Sequence, residues 1–235
     1  MSTNESIIQP RIFIHIPRNA GLTIRKSSSL YDLIIDAEPA HHKDKNYTDE
    51  LRSQMESTGD EYGYYHARWR DLNSAITSLY VPFAIIRNPW DRAISQYMLA
   101  KKMIEVDKSK PKNYANVSSF EAFLDERHKW KDIDYMWHSP VRSWYQQVDY
   151  VTNADGEIQC DCLRYEDLNE IIKKYFRVKE ISAKRNVTNM LNKDWKLMYN
   201  GKTQQIVADW YEKDIDTFGF DFDTPAQKNY WSSIL

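Results

Sequence analysis

Apolar positions in this chain come in short blocks, not long runs. Ile12, Phe13, Ile14 and Ile16 form a β-rich stretch that stops at Pro17; Asn19-Ala20-Gly21 make a small-residue turn, and Thr23-Ile24 resume an apolar pattern. This predicts a strand over about 11–16, a turn over 17–21 and a helix over about 22–31. A second block, Phe83-Ala84-Ile85-Ile86, is continuously apolar, as a strand covered on both faces of a parallel sheet requires. It ends at Arg87-Asn88-Pro89, where Pro89 or Trp90 opens a helix with Ala93, Ile94 and Tyr97 on its apolar face. Two strand–turn–helix units of this kind favour an α/β sheet.

Elsewhere the signals are weaker. A short helix over 47–56 sits inside a charged loop, 36–61, and Leu72, Ile76 and Leu79 repeat at helical spacing. Further helices are expected around 118–128, opened by Ser118 or Ser119 with Glu121 as capping-box partner, and around 139–147. The turn signal Asn153-Ala-Asp-Gly156 separates residues 148–151 from 158–163 and suggests a hairpin or two linked strands. A helix through Ile171, Ile172 and Phe176 follows, then one over about 203–217 stopped by Gly219, and a tail whose Tyr230, Trp231 and Ile234 suit packing.

Composition narrows the class. The 235 residues suit a single domain, 1–235, with residues 1–9 too polar to be held firmly. A net charge of −2 argues against a nucleic-acid partner and makes any anion site local. Cys160 and Cys162 are too close for a disulfide framework and lack two further ligands for a metal, so they read as a buried, reduced pair. No leader precedes Arg11 and no 18-residue apolar run exists, so the expectation is a cytoplasmic protein without a membrane span, of bacterial or viral origin.

Candidate chemistry gathers at the two strand ends. A strand, a glycine-containing turn and a helix start collect backbone N–H groups suited to phosphate, and Arg18 and Thr23 add a charged fork and a hydroxyl. Arg87 sits where open α/β sheets bind ligands, and Ser95 follows it on the same helix. The first loop lacks GxxxxGK[ST], and no metal-binding aspartate marks a strand end.

Residues 13–23, FIHIPRNAGLT, and 83–97, FAIIRNPWDRAISQY, resemble the motifs FIHIPKTAGTS and FAFVRNPWDRLVSAY of the sulfotransferase family that includes carbohydrate 2-O-type enzymes and their small bacterial and viral relatives. Supporting echoes are His66 with its basic surroundings, QVDYV and ADG within 147–156, LRYEDL at 163–168 and YEKDIDTFGFDF at 211–222. The expected fold is α/β: a three-layer P-loop-like arrangement, with a central, mostly parallel sheet flanked by helices.

The resemblance implies 3′-phosphoadenosine-5′-phosphosulfate (PAPS) as donor cosubstrate, no metal, and a hydroxyl acceptor on a carbohydrate or glycoconjugate. It implies that Arg18, Asn19, Ala20, Gly21, Leu22 and Thr23 hold the 5′-phosphosulfate, and that Arg87 and Ser95 hold the 3′-phosphate. Arg185 and Asn186 resemble a segment near the nucleotide. His66 occupies the position of a catalytic base, with Arg18 as the cation at the leaving phosphate; Glu166 is an alternative base and His138 an acceptor contact. Loops 32–62 and 101–150 are expected on the acceptor side. Arg18 replaces a lysine, Asn19 a threonine and Leu22 a small hydroxyl residue. Two readings stay open beside sulfuryl transfer: a P-loop-like kinase, and a non-catalytic PAP- or PAPS-binding protein of the same fold, PAP being the bisphosphate product.

Overall fold

The computed structural model describes residues 10–44, 46–60, 63–106, 114–181 and 194–223. In chain order they form β1 (Arg11–Ile14), α1 (Gly21–Arg25), β2 (Ile34–Asp36), α2 (Tyr47–Thr58), α3 (Ser74–Thr77), β3 (Val81–Ile86) and α4 (Pro89–Val106). There follow α5 (Phe120–Trp130), α6 (Gln147–Val151), β4 (Asp161–Arg164), α7 (Leu168–Phe176), α8 (Gly201–Trp210) and α9 (Glu212–Phe218).

The four strands make one parallel sheet in the order β2-β1-β3-β4. Because successive strand side chains face opposite ways, each strand feeds two cores. Ile12, Ile14, Ala84, Ile86 and Cys162 join the larger cluster, with Trp90, Ile94 and Tyr150. Phe13, Phe83, Ile85 and Leu163 join a smaller one completed by Ile172, Tyr175 and Phe176 of α7. Phe13 lies opposite Phe83 in register, and their rings stack with centroids 5.0 Å apart. Helices therefore flank a sheet buried on both faces, which explains the unbroken apolar run of β3.

The strand order also fixes where a ligand goes. From β1 the chain moves outward to β2, then returns to place β3 on β1's other side, so the switch point lies between the carboxyl ends of β1 and β3. At the end of β3, the Asn88 side chain accepts from Trp90 N at 3.0 Å and Pro89 fills the first helical position, which starts α4 at once.

Several expected elements differ. Of the expected hairpin or two linked strands, the second half stands as β4, while residues 147–151 are a helix, α6, joined to it only by an isolated Thr152–Ile158 bridge. The cause is distant: Asp214 of α9 accepts from the backbone amides of Gln147 and Val148, each at 2.9 Å, capping a helix start with no local cap of its own. Residues 139–146 precede this helix and are not helical. The helix expected over 203–217 is two, α8 and α9, meeting at Tyr211. Ser119 does cap α5, accepting from Ala122 N at 3.0 Å. Glu121 lies one residue short of the capping-box position and instead meets Lys202. Tyr230, Trp231 and Ile234 lie outside the described residues.

Candidate active site

The loop after β1 is shaped by two residues in left-handed conformation, Arg18 (φ 70°) and Ala20 (φ 58°). Neither is glycine, so each costs about 1–2 kcal/mol relative to right-handed backbone. The alternation turns successive amides toward one side, the geometry of an anion nest. Thr23 N and Ile24 N both return to Ala20 O, at 2.9 and 3.2 Å, closing the first turn of α1.

Buried polar side chains secure this loop. Asn19 is fully buried, and its Nδ2 donates to Ile85 O at 2.7 Å and to Gln147 Oε1 at 2.6 Å. Gln147 continues the bridge: Oε1 also accepts from Arg87 N at 2.8 Å, and Nε2 donates to Arg87 O at 2.8 Å. Arg92, almost fully buried, donates to Pro17 O at 3.1 Å and Tyr145 O at 3.0 Å. The ends of β1 and β3 are thus held together by a glutamine and an arginine that sequence reasoning left without a role. Their only signal was position inside the blocks 147–156 and 83–97.

A cleft of about 1190 Å³ opens over this junction. It collects Arg18, Ala20, Gly21, Leu22, Thr23, His66, Arg87, Ser95 and Glu166 from the expected residues. Arg18 forks onto Ser95 Oγ through Nε (3.1 Å) and Nη2 (2.8 Å). Arg87 grips Asp91 through Nε and Nη2, both at 2.8 Å, donates from Nη1 to Arg18 O at 2.9 Å, and rests 4.2 Å from the Tyr165 ring centre. Five guanidinium N–H groups minus three bonds leave Arg87 two for a ligand.

Charge is tuned accordingly. Burial and the neighbouring Arg87 push the Arg18 guanidinium down to about 10. Burial also works against Arg87, yet Asp91, then Tyr165 and Glu166, hold it above the usual range. Burial raises the Glu166 carboxyl against the hydrogen bond its Oε1 accepts from Asn88 N at 2.9 Å.

His66 lies on no helix; it follows a short 3-10 turn at Gly63–Tyr65. Its Nδ1 is 2.7 Å from His15 O, and its ring centre is 4.2 Å from that of His15. A carbonyl only accepts, so Nδ1 carries the hydrogen and Nε2 keeps a lone pair. Burial, partly offset by the His15 carbonyl and reinforced by Arg25, Arg18 and Arg92, lowers its pKa to about 4.

Two expected residues are elsewhere. Asn19 points into the interior and does not line the cleft. His138 is fully buried in another cluster, its Nδ1 donating to Gly63 O at 2.8 Å while Nε2 meets the Tyr47 hydroxyl. Arg185 and Asn186 lie outside the described residues. Among the described residues of the expected acceptor segments, only Met103 and Pro140 line the cleft. Trp130, Trp137 and Trp144 are buried core.

Other cleft residues were missed: His15, Arg25, Tyr65 and Tyr165. Arg25 lies 3.5 Å over the Tyr65 ring and pairs with Asp36 at 2.9 Å. His15 was absorbed into the strand, although a polar residue at a strand's carboxyl end is the signal that drew attention to Arg87. Among the described residues, no cluster of three or more His, Cys, Asp or Glu is arranged to hold a metal, and no helix is long and apolar enough to cross a membrane. A model of the sulfotransferase family matches residues 12–221. No curated protein matches the chain significantly.

Proposed function

The chain belongs to the sulfotransferase family, and on that premise we propose how its cleft divides the work of the reaction. The enzyme transfers a sulfuryl group from PAPS to a hydroxyl acceptor. We assign the 5′-phosphosulfate to the amides of residues 20–22 with the Thr23 hydroxyl, and the 3′-phosphate to Ser95 and the two remaining N–H groups of Arg87. Arg18 ties the 5′-phosphosulfate loop to the 3′-phosphate corner, because its guanidinium touches Ser95 and its carbonyl receives Arg87. Three cleft guanidiniums, Arg18, Arg25 and Arg87, suit a polyanionic donor.

PAPS supplies the activated sulfuryl group, whose P–O–S bridge breaks as the acceptor oxygen bonds to sulfur in line. Around that event His66 Nε2 takes the hydroxyl proton, and Arg18 with the loop amides stabilises charge on the departing phosphate. A phosphate leaving group needs no proton, so an arginine in the lysine's place retains the electrostatic function. His66 is neutral in the free protein, and the donor's negative charge raises its basicity as the site fills. Glu166 is committed to Asn88 N and is read as structural.

The reading extends to the fold and the acceptor. Strand, left-handed loop and helix at 11–25 support a P-loop-like fold without the Walker lysine, and we read 1–235 as one catalytic domain. Tyr65, 37% exposed at the cleft, offers a flat apolar surface suited to a sugar ring, which favours a carbohydrate or glycoconjugate acceptor. The observation that carries the assignment is the convergence of Arg18, Ser95, Arg87 and His66 on one cleft. The test is PAP release from PAPS across neutral and anionic oligosaccharides. Turnover with a sugar hydroxyl that His66→Ala abolishes supports the reading; turnover untouched by that substitution contradicts the base assignment.

A further inference from the structure

His15 is more than nine-tenths buried, lines the cleft, and its Nδ1 has no hydrogen-bond partner. A hydrocarbon side chain in the same place would leave no polar atom stranded, so packing alone does not account for an imidazole. Its ring sits over the donor loop: a Cβ on residue 21 would lie 1.6 Å from His15 Nε2 and 2.1 Å from Cε1. Gly21 begins α1, where alanine suits the backbone, so its missing side chain answers to the His15 ring. The same ring meets His66, at 4.2 Å between centres.

Resting on the reading of His66 as base, we propose that His15 is a positioning residue of the transfer step. Its carbonyl holds His66 with Nδ1 protonated and Nε2 bare, and its ring, seated in the slot at Gly21, sets where that imidazole stands against the donor loop. Base and loop then move as one unit, since a shift of residue 21 reaches His66 through a single ring. Burial, His66, Arg25 and Arg18 all keep His15 neutral, so it does not compete for the acceptor proton in the free enzyme.

The experiment is a double-mutant cycle on the full chain with His15→Ala, Gly21→Ala and the pair, reading kcat and PAP affinity separately. ¹⁵N spectra of the His66 ring accompany it. The proposal expects a bare Nε2 on His66 in the unsubstituted protein. His15→Ala should lower kcat about 10-fold or more, part of the ~10²–10⁴ that proton transfer supplies, with PAP affinity little changed. Gly21→Ala should lower kcat by displacing the ring, and the pair should lose no more than His15→Ala alone, because the added methyl occupies the vacated slot. His15→Gln replaces alanine if the latter unfolds the loop, with the same kcat loss expected. A His66 protonated on Nε2, or losses at 15 and 21 that simply multiply, would overturn the proposal. Failure of the base reading is told apart by His66→Ala itself, whose unchanged kcat would remove the base while tautomer and cycle are read in proteins that retain His66.

Discussion

Arg18 reaches Ser95 across 77 positions of sequence, with Nε at 3.1 Å and Nη2 at 2.8 Å from one hydroxyl oxygen. This contact joins the loop after β1 to the second turn of α4, so the groups assigned to the donor's two ends share an arginine. Ser95→Ala removes the proposed phosphate ligand and the seat of Arg18 together. A hydrogen bond of about 1–1.5 kcal/mol corresponds to roughly tenfold in affinity, and that is the expected loss in PAP binding by calorimetry.

Arg87 has structural as well as binding duties. Arg87→Ala strands the Asp91 carboxylate and the Arg18 carbonyl, and leaving a buried charge without its partner costs about 3–5 kcal/mol. A large fall in melting temperature is therefore expected alongside lost PAP binding. Arg87→Lys separates the two effects: it keeps a cation beside Asp91 and should spare much of the stability. It loses the planar fork, so PAP affinity should still fall.

His66→Ala should reduce kcat by about 10²–10⁴ while leaving donor affinity near its original value, because we assign the imidazole to the acceptor proton. Single-turnover kinetics at saturating PAPS isolates that step. Equal effects on kcat and on PAP affinity would make His66 a donor ligand instead.

Acid should destabilise the fold between about pH 6.5 and 4. Burial lowers His42 and His66 to about 4 each, and His15 and His138 also lie well below their ordinary value. The unfolded chain then binds more protons than the folded one in this window. Stability is complete above the unfolded value and falls by about 1.4 kcal/mol per pH unit for each such group. Asp214, raised to about 6 by burial, and Glu166, also raised, work in the opposite direction. Four imidazoles outnumber two carboxyls, so the net expectation is loss, read as a falling urea midpoint. His42→Gln, outside the cleft, should make the profile shallower.

The frame of this enzyme is plain in its sequence, because β1, β3 and the start of α4 depend on local patterns. Phe83–Ile86 is apolar without interruption since both its faces are covered, and Asn88-Pro89 carries its own helix-start chemistry. What could not be read depends on partners distant in the chain. The strand expected at 148–151 is replaced by α6 because Asp214, more than 60 residues onward, caps it (|i−j| 67 and 66). Asn19 looks like a phosphate ligand in a loop motif, yet its amide is drawn inward by Ile85 O and Gln147. His138 resembles a spare active-site histidine, but Gly63 and Tyr47 hold it in the core. His15 shows the reverse: within an apolar run it reads as strand, and only the slot at Gly21 and the ring of His66 reveal its place in the cleft.

The most direct test of the donor assignment is calorimetric binding of 3′,5′-bisphosphoadenosine beside adenosine 5′-monophosphate and ATP–Mg²⁺. The convergence of Arg18, Ser95 and Arg87 predicts tight binding of the bisphosphate and a large loss when the 3′-phosphate is absent, with Ser95→Ala narrowing the gap. Equal affinity for the bisphosphate and the monophosphate, or preference for ATP–Mg²⁺, would contradict the assignment of that corner to the 3′-phosphate.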